Sequence, residues 1–437
     1  MPKSVWSEIS LPAFPELEHD MKTDVLIIGG GMAGLLTAHL LRRSGVDCLL
    51  VEAERICGGV TGNTTAKVTS QHGLCYDKLC RRFDDDTARL YWQANEAALE
   101  QFRRETEGMD CDWQERDHFV YSCSAPEKLE AELAALQRIG VKADFAARLP
   151  LPFATVGAVR FSHQAQFHPL KFISGIVDGL RIFEQTPVRA FEGTTAVTDS
   201  GRIRASKIIV TTHFPLLNKH GGYFLKLYQQ RAYVLAVEGA GNVGGMYLGA
   251  DPGGLSFRNH QGLLFIGGGS HRTGKQGNGW MELERFAQAH YPASPVRYRW
   301  AAQDCMTLDG LPYIGQYSKN TPELYVATGF NKWGMTGSMA AAMLLRDLMA
   351  DKENAYTALF DPARSILRPQ LLANGLGAMV NLATPTRPRC PHMGCALKWN
   401  PHERSWDCPC HGSRFSERGE LLNDPATGDL KNAPLKR

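Results

Sequence analysis

The stretch DVLIIGGGMAGLLTAHLLRRSGVDCLLVEAE, residues 24–54, decides the fold. DVLII has the length and β-branched content of a buried parallel strand. Gly29, Gly31 and Gly34 follow as G-x-G-x-x-G, and a helical run then stops near Gly45. A second strand, CLLVEA, carries Glu52 and Ala53 at its end. This is the order a dinucleotide fold needs. The first glycine permits the tight turn, the second lets the backbone approach a pyrophosphate, and the third lets the helix pack on the strand. The helix N-terminus faces the phosphates, and Glu52 is placed to accept from ribose hydroxyls.

Working outward, 437 residues with 43% hydrophobic content suffice for two or three domains. A net charge of +3 gives no case for a nucleic-acid partner. The first residues, MPKSVWSEISLPAF, lack a basic region followed by an apolar run, and no 18-residue apolar stretch follows. Neither a secretory signal nor a membrane span is expected. Cysteines 48, 57, 75, 80, 111, 123 and 305 have no framework spacing, which fits reduced thiols and a cytoplasmic location.

Glycine spacing alone does not separate NAD from FAD. Three further stretches do. RICGGVTGNTTAKVTSQHG (55–73) is a small, hydroxylic loop, CMTLDGLPYIG (305–315) comes much later, and LYVATGFNKWGMTGSMAAAMLLRDLM (324–349) is a second strand, Gly-rich turn and helix. Together with the first motif they resemble the FAD-dependent amino-acid and amine oxidoreductases, the family of D-amino-acid oxidase and glycine oxidase, over roughly residues 22 to 350. The resemblance implies FAD. It places Thr61, Gly62, Thr64 and Thr65 near the pyrophosphate and ring, and Gly329, Gly334, Met335 and Thr336 at the flavin. It also places the Val188 backbone at the adenine. GLLFIGGGSHRTGKQG (262–277) has Arg272 where a third fingerprint glycine belongs and no helical run after it, so it reads as a substrate-domain strand.

The middle of the chain reads as helices and then antiparallel strands. Its polar candidates for substrate contact are His72, Tyr233, Arg258, His271 and Arg272. Each alone reads more readily as structural or solvated. A substrate carboxylate would call for a bidentate arginine, a role open to Arg258 or Arg272. His72, Arg258 and Arg272 are the catalytic candidates.

The tail CPHMGCALKWNPHERSWDCPCHGSRF (390–415) holds four cysteines and three histidines. Its spacing is C-x-H, then fifteen residues, then C-x-x-H. A Cys₂His₂ zinc site would use four ligands and leave Cys395 and Cys410 unexplained. The pattern, with C-P-C-H-G-S in its second half, resembles Rieske proteins. The resemblance implies a [2Fe–2S] cluster with Cys390 and Cys408 on one iron and His392 and His411 on the other. It further implies a Cys395–Cys410 disulfide tying the two loops.

The expected fold is therefore α/β: a Rossmann-like FAD-binding domain with an antiparallel-sheet substrate domain (D-amino-acid oxidase-like), plus a small β-rich Rieske module. The expected division is an N-terminal extension (1–21), the flavin unit (22–365) and a truncated Rieske unit (366–437). Flavin-binding segments are expected at about 22–80, 160–215 and 300–350, and the substrate domain at about 81–159 and 216–299. The implied activity is exchange of a hydride between FAD and a small amine or amino-acid-like substrate, with single electrons passing to or from the cluster and an external carrier, protein or quinone-like. The alternative is an O2-using flavin oxidase in which the cluster is a sensor or structural element.

Overall fold

In the computed structural model the DVLII run forms the strand Met21–Ile28, near the middle of an eight-stranded sheet. Residues 3–217, 220–367, 369–385 and 388–431 are described. Strands Arg202–Val210 and Cys48–Val51 flank Met21–Ile28 in parallel, and Leu324–Thr328 adds in parallel beyond Arg202–Val210. Two helices, Met32–Arg43 and Gly334–Met349, cover this sheet with almost wholly buried apolar faces. Both start at glycine-rich turns, so both N-termini open at the same end of the sheet.

Two glycines are fixed by close approach. Gly29 has φ +112°, and a Cβ there would lie 2.8 Å from the carbonyl oxygen of Thr211. At Gly34 a Cβ would lie 1.9 Å from the Gly29 carbonyl oxygen, so any side chain would push the helix off the strand.

A nine-stranded sheet forms the second layer, in the order Val296–Thr307, Leu227–Glu238, Leu263–Arg272, Ser256–His260, Met246–Gly249, Gln114–Ser122, Gly157–Gln166 and Lys67–Val68, with Asp144–Ala146 paired at Gly157–Gln166. It is antiparallel except where Met246–Gly249 runs parallel to Gln114–Ser122. Strands Gly157–Gln166 and Val296–Thr307 belong to this sheet and not to the flavin sheet. Val296–Thr307 pairs along nearly its whole length with Leu227–Glu238, and no local pattern could name that distant partner.

The N-terminal extension is packed down. Trp6 has no exposed surface, and its indole N–H donates to the Thr64 carbonyl (2.7 Å). At the other end, helix Pro369–Ala383 precedes a four-stranded antiparallel sheet spanning Lys398–Asn400 to Leu421–Asn423. No described helix is long and apolar enough to cross a membrane.

Candidate active site and cluster site

The glycine turns, the second sheet and the tail meet around one cavity of about 910 Å³. That lies at the upper end of the range for small-molecule sites. Of the residues expected at a cofactor, Gly29, Gly31, Glu52, Ala53, Thr61, Thr64, Thr65, Val188, Gly334 and Met335 line it. The Thr61 hydroxyl accepts from the Met32 amide (3.0 Å), capping the first helix. Glu52 accepts from the Gly30 amide (2.6 Å), and burial raises its pKa despite that bond.

Four expected contacts stand behind the wall instead. Gly34 carries the helix packing described above. Gly62 is pressed on the Cys57 carbonyl, and its own carbonyl accepts from Ser4 (2.5 Å). A Cβ at Gly329 would meet Thr307 at 2.4 Å. The Thr336 hydroxyl donates to the Thr69 carbonyl (3.1 Å).

None of the three catalytic candidates lines the cavity. His72 lies behind Trp333, stacked on it at 4.6 Å. Its ring is bound by the Tyr91 hydroxyl (2.7 Å) and the Thr69 carbonyl (2.9 Å), and burial lowers its pKa to about 3. Arg258 is 1% exposed and donates to the carbonyls of Thr65 (2.7 Å) and Ala66 (3.0 Å), with Trp6 and Phe265 against its guanidinium. It braces the hydroxylic loop, while its Nε and Nη2 are buried with no hydrogen-bond partner among the described residues. Arg272 donates to Asn374 (2.6 Å) and to the Cys410 carbonyl (3.3 Å), so it ties the second sheet to the tail. Tyr233 does line the cavity, whereas His271 is bonded behind it to the Tyr233 hydroxyl (3.0 Å).

Lys67, overlooked in the sequence, is the buried cation of this wall. Its Nζ donates to the Tyr247 carbonyl (2.6 Å) and the Ser256 hydroxyl (2.7 Å), which engages two of its three N–H groups. Burial, with the Arg258 charge nearby, lowers its pKa to about 7. The other cavity cations each face a carboxylate: Arg55 with Glu184 (3.2 Å), Arg189 with Asp199 (2.7 Å) and Lys332 with Asp304 (2.8 Å). Among the described residues Lys67 has no such partner. The signal available in advance was a single charge inside the otherwise small and hydroxylic TTAKVTS run.

In the tail, Cys395 and Cys410 form a disulfide, with Cα atoms 6.6 Å apart. Their sulfurs and that of Cys408 lie within 4.8 Å of one another, but the bonded pair has no thiol left to offer a metal. The remaining donors are the buried thiols of Cys390 and Cys408 and the imidazoles of His392 and His411. A bond from Cys408 is the main cause lowering the Cys390 pKa to about 7, and it raises that of Cys408. The imidazole ring centroids are 4.9 Å apart and the rings are nearly perpendicular. Burial pushes their pKa values down to about 4 for His392 and about 3 for His411, so both are in the neutral, ligating form. The His411 Nδ1 is buried with no hydrogen-bond partner. Two sulfur and two nitrogen donors, with an orphaned ring nitrogen among them, fit a two-iron cluster braced by the disulfide.

The histidine edge packs inward. Phe214 stands 6.1 Å from the His392 ring and 6.4 Å from the His411 ring, and it also lines the flavin cavity. Gln303, another cavity residue, donates to the Gly412 carbonyl (2.9 Å). A buried ion-pair group completes the joint. The Arg231 guanidinium engages both oxygens of Glu403, whose carboxylate also pairs with Arg414 (2.9 Å) and accepts from the Tyr233 hydroxyl (3.0 Å). Residues 421–429 of the tail close part of the cavity beside Val188 and Arg189.

A dinucleotide cradle joined to such a donor set defines a flavin and iron–sulfur oxidoreductase. The chain matches the FAD dependent oxidoreductase family over residues 24–348 and the Rieske [2Fe-2S] domain over residues 383–434. It belongs to that FAD-dependent oxidoreductase family and carries a C-terminal Rieske domain; FAD and a [2Fe–2S] cluster are its cofactors. The YhfW protein of Bacillus subtilis (strain 168), named as a Rieske 2Fe-2S iron-sulfur protein, is 34% identical over 99% of this chain and 98% of its own. Gamma-glutamylputrescine oxidoreductase of Escherichia coli (strain K12) is 26% identical across 45% of this chain and 50% of that protein. Glycine oxidase from Geobacillus kaustophilus shares the fold, with a TM-score of 0.65 at 20% identity over 79% of this chain and 100% of that one.

Proposed function

We propose that the protein oxidises the CH–NH bond of a small amino-acid-like substrate and exchanges the electrons singly with an external carrier through its cluster. In this reading residues 22–365 form the flavin unit and 366–437 the cluster unit, working in the cytoplasm. Cys390 and Cys408 hold one iron, and His392 and His411 the other. Bound FAD supplies two-electron exchange with substrate and the cluster supplies one-electron exchange.

The chain's own groups do the rest. Lys67, with a free N–H and no carboxylate partner, anchors the substrate carboxylate, the task first assigned to Arg258 or Arg272. Trp333 and Tyr233 wall the site, and His72 holds Trp333 from behind. Phe214 carries the reading, because one ring borders both the flavin cavity and the two cluster imidazoles. The amine oxidoreductase among the relatives and the glycine oxidase fold support the substrate class.

Anaerobic mixing of the holoprotein with a panel of amino acids and amines tests it. Substrate should bleach the flavin absorbance and then the cluster absorbance. A flavin that bleaches beside a cluster that stays oxidised would leave the O2-using oxidase, with the cluster as sensor or structural element.

A further inference from the structure

Helix Pro369–Ala383 turns an apolar side to solvent. It contains no charged residue. Its inward side is mixed: Leu371, Asn374, Gly375, Ala378 and Asn381 are half-buried, Asn374 accepts from Arg272 (2.6 Å), and Ala378 packs on the small core of the cluster unit. Its outward side carries Leu372, Leu376, Met379 and Val380, exposed by 72%, 60%, 61% and 66%. These stand at i, i+4, i+7 and i+8, a continuous apolar stripe turned to solvent. Arg389 bridges the Leu382 carbonyl (3.2 Å) to the Gly394 carbonyl (2.7 Å), which ties the cluster loop, with its exposed Met393, to the C-terminal end of the helix.

The flank is basic. No Asp or Glu occurs between Asp361 and Glu403. Arg389 and Lys398 are exposed, and the Arg389 guanidinium bonds only to backbone carbonyls among the described residues. The sequence adds Arg368 and Arg387 to the same stretch. Arg364 does not count, since it pairs with Asp309 (2.7 Å).

We infer that this helix seats the protein on an anionic membrane surface, lying in the headgroup plane with its stripe turned into the acyl region. A stripe of this kind with a basic flank suits both parts of an acidic bilayer. A second copy suits only one, because a two-fold contact would set the basic flank against itself. The seat brings the Cys390–Gly394 loop to the membrane, so one-electron exchange takes place there, whatever substrate the flavin uses.

Flotation of the full-length holoprotein with vesicles tests the inference. The protein should float with equimolar phosphatidylcholine and phosphatidylglycerol at low salt, and several-fold less with phosphatidylcholine alone or at high salt. The variant Leu372→Gln/Leu376→Gln/Met379→Gln, checked for retained flavin and cluster spectra, should lose at least about tenfold in bound fraction. Absence of flotation on the anionic vesicles overturns the inference, as does a variant that floats undiminished. A stripe variant that converts a sedimenting dimer to monomer, with no vesicle binding by the parent, also overturns it and assigns the stripe to a second copy.

Discussion

The flavin cavity and the cluster site are built by opposite means. The cavity draws on segments some 300 residues apart, set at the ends of two large sheets with an extensive buried core. The cluster site draws its four donors from two short loops within residues 390–411. Its core is only a handful of side chains, chiefly Leu397, Trp406, Phe415 and the cysteines. So small a unit buries too little apolar surface to be stable by packing alone. It relies on a disulfide, a metal cluster and buried polar docking onto the flavin unit. The large unit rests on its own packing, whereas the small module leans on buried contacts from Arg231, Tyr233 and Gln303 of the flavin unit.

The sharpest way to break this comparison is to remove a cluster ligand. Cys408→Ser should abolish the cluster's paramagnetic signal while FAD stays bound and is still reduced by substrate. Loss of the flavin as well would show that the two sites are not separable.

Docking comes next. Glu403 is buried, which by itself raises its pKa, but Arg231, Arg414 and Tyr233 hold it down to about 2. Glu403→Gln strands the buried Arg231 guanidinium, while Arg414 keeps Asp407 (3.0 Å), and should cost about 3–5 kcal/mol, read as a lowered melting temperature of the cluster signal. The carboxylate's contribution is complete above its ordinary value of 4.5 and is lost as pH falls toward about 2. Melting that is flat across that window would count against the ion pair as the tether.

The smallest effect is expected at the cavity. Lys67 must be charged to hold a carboxylate, so kcat/KM should decline as pH rises through about 7. Lys67→Met should remove that limb and raise KM about tenfold to a hundredfold, the value of one charge-assisted hydrogen bond. Lys67→Arg should keep the charge and shift the limb upward. An unchanged pH profile in Lys67→Met would return the anchor to an unidentified group.

Much of each site was legible in the sequence, for a shared reason. Gly29, Gly34, Glu52 and Thr61 do their work within one strand–turn–helix–loop segment, and Cys390, His392, Cys408 and His411 sit in two tight loops. The roles of Arg258, Arg272 and His72 were not legible because a side chain's partner lies on another element. Arg258 turned to the carbonyls of Thr65 and Ala66, and Arg272 turned to the tail. Lys67 stands out locally as the single charge in the TTAKVTS run, but its burial against Tyr247 and Ser256 comes from remote elements.

The cofactors were legible in the sequence alone, because backbone spacing along a continuous segment sets the glycine turn and the two Cys/His loops directly. Only the tertiary structure decided which cation faces the cavity, that Phe214 touches both redox sites, and that helix Pro369–Ala383 turns its apolar side outward. Those depend on which remote surfaces pack together. Periodicity can mark an apolar stripe, but only its neighbours determine whether it faces the core or the surroundings.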